Sequence, residues 1–162
     1  MPKVALIMGS KSDWPSLKGC VDVLKGFGIE VEVHVASAHR TPETVAAFAA
    51  GARENGFEVI IAAAGKAAHL AGVIAGHTTL PVIGIPIKSS FMDGLDSLLS
   101  TVQMPTGIPV ATVAVGGGDN AAYLAAQMLS IKYPILAEKL LAHRERMAAA
   151  IEADDRQIQE EL

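Results

Sequence analysis

The chain has 162 residues, of which 51% are apolar, 19% charged and only 4% aromatic, and its formal net charge is −4. That length suits one domain, and an acidic balance with no basic tail or basic–aromatic platform argues against nucleic acid as a partner. The lone Cys20 excludes an internal disulfide framework. So few charges cover a monomer of this size poorly, so an oligomer that hides apolar surface between subunits is expected.

In chain order, "KVALIMG" (3–9) reads as a first strand. The apolar run is too short for a secretory signal and no cleavage pattern follows it, which points to the cytoplasm. The loop "GSKSD" (9–13) comes next. Gly9 permits a tight turn, and Ser10 and Ser12 set hydroxyls beside the free amides of a helix start, a natural anion site. Asp13 is placed either to cap that helix or to accept from ribose hydroxyls. The spacing fits neither a Walker loop nor G-x-G-x-x-G. A helix is expected from Asp13 to Phe27, with Leu17, Cys20, Val21 and Leu24 on its buried stripe.

"EVEVHVA" (30–36) alternates, which predicts an edge strand with Val31, Val33 and Val35 inward and Glu30, Glu32 and His34 outward. "SAHRTP" (37–42) follows. Thr41 as N-cap and Pro42 at the first helical position make a helix entry, with the helix expected to run to Asn55. That leaves Ser37, His39 and Arg40 unexplained. A guanidinium beside a helix N-terminus opposes the macrodipole unless an anion lies there, so Arg40 points to phosphate. His39 brings an acid/base group suited to neutral pH.

"FEVIIAAAG" (57–65) has no polar face, as expected of a strand at the sheet centre. In "AAAGKAAHLAG" (62–72), Gly65 ends that strand and the small residues around Ala67 let backbone approach a ligand and let the loop move. Taken alone, His69 reads as a hydrogen-bonding support. The uncharged stretch from Ala67 to Ile87 is long enough to span a bilayer. Its histidines, threonines and prolines make it instead a short helix, a turn and a buried strand, "PVIGIPI". Then come a helix "DGLDSLLSTVQM" (93–104), a fifth strand "PVATVAVGG" (109–117) and a helix "DNAAYLAAQMLS" (119–130). His34 and His77 look structural.

The tail from Pro134 to Leu162 is one long helix, carrying His143 and aligning Leu136, Leu140, Met147, Ile151, Ile158 and Leu162 on one face. It follows a complete alternating set, so a contact with a neighbouring subunit is expected of it. The chain thus divides into a catalytic domain over 1–133 and a helical extension over 134–162.

Repeated strand–helix units imply parallel strands with right-handed crossovers and helices on both faces. Five strands with an edge-like second strand fit a flavodoxin-like α/β three-layer sandwich of order 2-1-3-4-5. Ligands of such sheets sit beyond the carboxyl ends of the strands at the switch point, here between the first and third strands. Hence the three loops of interest are those at 9–13, 37–42 and 65–70. No HExxH, CxxC or histidine–carboxylate spacing suggests a metal. The residues alone give a monophosphate-bearing ligand held by helix N-termini and Arg40 beside an imidazole. They do not give a reaction.

"MGSKSDW" (8–14), "SAHRTP" (37–42), "AAHL" (67–70), "GLDSLLSTVQMP" (94–105) and "GIPVATVAV" (107–115) together resemble the class I N5-carboxyaminoimidazole ribonucleotide mutases of purine biosynthesis. The resemblance implies a homo-octamer, a ribonucleotide monophosphate substrate, and neither metal nor organic cofactor. It implies that His39 is the general acid/base and that Ser10, Asp13 and Arg40 bind substrate, with Ser12 and Ser37 beside them. The loop bearing Gly65, Lys66, Ala67, His69 and Leu70 would close over the ligand. Where that family commonly reads "GAGGAAHLPG", this chain puts Lys66 for a Gly and Ala71 for a Pro. The backbone at Lys66 is expected to be permissive, with the ammonium meeting a substrate carboxylate, and Ala71 to loosen the loop. Two rivals keep the fold: a direct carboxylase using free carbon dioxide, and a non-catalytic nucleotide- or flavin-binding module.

Overall fold

The alternating pattern closes into one sheet with helices on both sides. A computed structural model describes all 162 residues. Strands β1 (Lys3–Met8), β2 (Glu30–Val35), β3 (Val59–Gly65), β4 (Val82–Ile87) and β5 (Ala111–Thr112) pair in parallel in the order β2-β1-β3-β4-β5. The helices are α1 (Trp14–Gly26), α2 (Pro42–Gly51), α3 (Leu70–His77), α4 (Leu95–Val102), α5 (Gly118–Ser130) and α6 (Pro134–Glu161). The fold is the flavodoxin-like α/β sandwich read from the sequence. The uncharged 67–87 stretch resolves into α3, a turn and β4, and no helix is long and apolar enough to cross a membrane.

Alternation along the central strands divides the core. Val4, Leu6 and Met8 of β1 face a cluster built with α1, α5 and Leu136 at the root of α6. Ala5 and Ile7 face the other cluster, built with α2 and α3. Each fully buried Leu or Ile removes apolar area worth ~1.5–3 kcal/mol, and β3 and β4 supply Ile60, Ile61, Ile83 and Ile85. Cys20 lies in the α1 cluster, where burial pushes its thiol up to about 12. α4 lies against β4 at Gly84, where a Cβ would run into the Thr101 methyl.

Four local expectations need correction. On β2, Val31 packs on the α1 cluster, but Val33 and Val35 are 37% and 57% exposed. Their face is the expected one, and no helix of this chain covers it past Val31. β5 is two residues long rather than nine. Val113 N–H still donates to Gly84 O and Gly116 N–H to Pro86 O, but Pro86 has no N–H to return, so the ladder lapses after Thr112. The regular part of α2 ends at Gly51, because Gly56 takes φ +83° and Phe57 N–H turns back to Ala52 O. Lys66 sits at φ +56°, so its backbone is left-handed rather than permissive.

Candidate active site

The carboxyl ends of β1, β2, β3 and β4 open onto a cleft of about 660 Å³. The topological switch puts it there: β1 leads out on one side of the sheet to β2 and the chain returns on the other through β3, leaving a crevice between their loops. Its walls are the three loops read from the sequence, joined by Ile87, Lys88 and Ser89 at the end of β4.

The first loop forms a single turn of 3-10 helix, Lys11–Asp13, before α1. Ser10 caps it by accepting from Ser12 N–H at 3.3 Å, and the Ser10 and Ser12 hydroxyls lie 2.9 Å apart. Asp13 makes no capping bond to α1, and it lines the cleft. Burial pushes the Asp13 carboxyl above its ordinary range, against a hydrogen bond from the Ser10 backbone and the charge of Arg40.

The second loop is stapled from within. Thr41 stands at the N-cap of α2, yet its hydroxyl turns back to donate to Ser37 O at 3.1 Å and to accept from Ser37 N–H at 2.9 Å. The Ser37 hydroxyl accepts from Arg40 N–H at 3.1 Å and from Arg40 Nε at 3.4 Å. Arg40 Nη2 then reaches across to donate to Gly9 O at 2.8 Å. The guanidinium therefore ties the first loop to the second and spans the cleft floor between them.

His39 points toward the third loop, where its Nε2 lies 2.8 Å from Nδ1 of His69, the rings nearly perpendicular. His69 precedes α3 and accepts Val73 N–H on its carbonyl, so the first turn of that helix fixes its backbone. Gly65, Lys66, Ala67 and Leu70 complete this wall. All eleven residues expected at the site line the one cleft. The other histidines stay outside it: His34 tilts against Phe48 and His143 stacks on Tyr123.

The profile of a family described as AIR carboxylase matches residues 3–150. The chain belongs to that family. It is 58% identical over 147 residues to the N5-carboxyaminoimidazole ribonucleotide mutase of Saccharolobus solfataricus, an alignment covering 91% of this chain and 93% of the relative. To the mutase of Mycobacterium tuberculosis it is 52% identical over 158 residues, 98% of this chain and 91% of that one. Among solved structures, Treponema denticola PurE superposes with a TM-score of 0.87 at 31% identity, covering 97% of this chain and 98% of the other.

Two groups on the AIR carboxylase framework escaped the sequence reading. Lys88 and Ser89 follow β4, and nothing in "PIKSS" marks them as cleft residues. Behind the third loop, α4 presents Ser97, Ser100 and Thr101; Ser97 and Thr101 are fully enclosed and spend their hydroxyls on backbone carbonyls. The available signal was hydroxyl residues on the inward stripe of a short helix, where an apolar residue is the ordinary choice.

Proposed function

We propose that this enzyme is an N5-carboxyaminoimidazole ribonucleotide mutase, moving the carboxylate of a carbamate from the exocyclic nitrogen of an aminoimidazole ribonucleotide to ring carbon 4. The observation that carries the reading is the arrangement of His39 and Arg40. They are adjacent on one loop, one paired with His69 and the other bridging to the Ser10–Asp13 turn within a single cleft.

Ser10, Ser12, Ser37 and Arg40 offer hydroxyl and guanidinium donors to a phosphate, and Asp13 accepts from the ribose. That fixes the base toward His39. The imidazolium of His39 protonates the exocyclic nitrogen, the C–N bond of the carbamate breaks, and carbon dioxide is released into the closed cleft. The freed ring is enamine-like at carbon 4 and attacks the carbon dioxide, forming the C–C bond. Neutral His39 then takes the proton from carbon 4, which restores the starting state. One imidazole serves both proton transfers, and confinement supplies the encounter that dilute carbon dioxide would not.

The proposal extends to an assembly. Val33, Val35, Met147 and Ile151 expose apolar side chains that a homo-octamer would cover, with 134–162 as the contacting extension. The mutase relatives support a role in purine biosynthesis, and the cytoplasm is the compartment proposed for it. The deciding assay converts the carbamate nucleotide to the 4-carboxylate in the presence of a chelator and without ATP. Turnover under those conditions is expected. Product formed only from the free aminoimidazole ribonucleotide with bicarbonate would replace the mutase reading by the direct carboxylase.

A further inference from the structure

The loop that bears Lys66 and His69 has few ties of its own. Its polar backbone turns toward α4, where two adjacent hydroxyls meet it. Ala68 N–H donates to Ser100 Oγ at 3.0 Å. Lys66 O lies 3.2 Å from the same hydroxyl, and Ala68 O lies 3.4 Å from Thr101 Oγ1. Each hydroxyl also has an acceptor on its own helix. Ser100 Oγ is 2.5 Å from Asp96 O, and Thr101 Oγ1 is 2.7 Å from Ser97 O.

A hydroxyl carries one proton. With the shorter distances inside the helix, both protons point along α4, and the loop is held to that helix by the Ala68 amide alone. Rotating the two protons onto Lys66 O and Ala68 O would exchange the bonds to Asp96 O and Ser97 O for two bonds to the loop, without moving the helix. α4 itself is fixed, because the Thr101 methyl fills the space left at Gly84 and Ser97 ties the helix start to Ile87 O at 2.7 Å. The loop is the less tied of the two. It includes a left-handed lysine, a conformation that persists only where surroundings impose it.

We propose that Ser100 and Thr101 are positioning residues that latch the 65–70 loop over the cleft, and that the latch retains carbon dioxide between its release and its capture at carbon 4. This rests on the mutase reading above. The latch acts through the loop and touches neither substrate nor the reacting atoms.

The test follows carbon. The carbamate nucleotide is turned over in buffer containing ¹³C-bicarbonate, and the ¹³C fraction in the 4-carboxylate product is read by mass spectrometry. Because that fraction is a ratio within product molecules, a variant that merely folds less well leaves it unchanged. In the wild type it is expected to be low. In Ser100→Ala it is expected to rise several-fold, as carbon dioxide escapes and exchanges, and in Ser100→Thr to return toward the wild-type value. Thr101→Val, which keeps the methyl against Gly84, should leak in the same sense and covers the case in which Ser100→Ala does not fold. Unchanged labelling in Ser100→Ala or, failing its folding, Thr101→Val would overturn the latch. A wild type that forms no 4-carboxylate from the carbamate would overturn the mutase reading instead.

Discussion

His39 and His69, 30 residues apart in sequence, stand edge to face with Nε2 of the first 2.8 Å from Nδ1 of the second. Such a bond holds one proton, so each ring fixes the tautomer and orientation of the other. Removing either should therefore cost activity, but unequally. His39→Asn should still bind the nucleotide and lose ~10²–10⁴-fold in kcat, the usual worth of a general acid/base. His69→Ala leaves the proton carrier in place and unsupported, a loss of about tenfold, as expected for one hydrogen bond of ~1–1.5 kcal/mol. Steady-state kinetics together with calorimetric binding would measure both. A larger loss at position 69 than at 39 would reverse the assignment of roles.

Asp13 gives a pH dependence with a definite sign. Burial raises its carboxyl above the ordinary value of 3.8, so ionisation is less favourable in the folded protein than in the unfolded chain. Its contribution to stability is therefore full below that value and lost as pH rises through the raised one. Asp13→Asn should then have a Tm at or above wild type at pH 7. The advantage should vanish as pH falls below the ordinary carboxyl range. Arg40 partly offsets the burial, so in an Arg40→Ala background the benefit of Asp13→Asn at pH 7 should grow. A Tm series over pH on the four proteins checks the sign and the coupling.

Lys66 sets stability against function. A left-handed conformation costs an L-residue ~1–2 kcal/mol, and glycine would relieve that while losing ~0.5–1 kcal/mol of chain entropy on folding. The net for Lys66→Gly is a gain of roughly 0.5–1 kcal/mol. That corresponds to a Tm rise of ~1–4 °C for a chain of this size. The ammonium makes no ion pair in the structure. If it meets the substrate carboxylate, Lys66→Gly should weaken binding of the 4-carboxylated nucleotide and leave the uncarboxylated one unaffected. Equal affinities for both in variant and wild type would leave Lys66 as strain without a contact.

What the sequence made legible was whatever local chemistry determines. Strand order followed from apolar runs and one alternating edge, and the cleft followed from strand order. The three loops then needed only a polar residue at each strand end to be noticed. The misses are all tertiary. The lapse of β5 depends on Pro86 in the neighbouring strand, not on anything in "PVATVAV". The exposure of Val33 and Val35 depends on where cover over β2 ends. Ser100 lies 34 residues from Lys66, and its contact with that carbonyl exists only because Gly84 lets α4 approach the sheet. The left-handed backbone at Lys66 has one signal, the glycine that the family commonly carries there, and a lysine in that place hides it.

The tail offers the last test. α6 runs 28 residues, yet only Leu136 in it is buried, and everything from Arg144 onward is exposed. Its root is fixed by Leu136 in the α1 cluster, by the His143 stack on Tyr123, and by Lys139 Nζ donating to Phe27 O at 2.7 Å. Beyond that root, Met147 and Ile151 remain 55% and 69% exposed. A lone helix half surrounded by water gains little from such residues, and apolar side chains in that arrangement are ordinarily covered by a partner. Truncation after His143 removes no buried side chain, so the domain should fold with an unchanged far-UV signal per remaining helical residue. Its sedimentation coefficient should fall to that of a smaller assembly, because the proposed subunit contact is gone. A truncated chain that sediments as the same oligomer as the full one would place the assembly contacts on β2 and the other exposed apolar positions, and would leave α6 without a role in it.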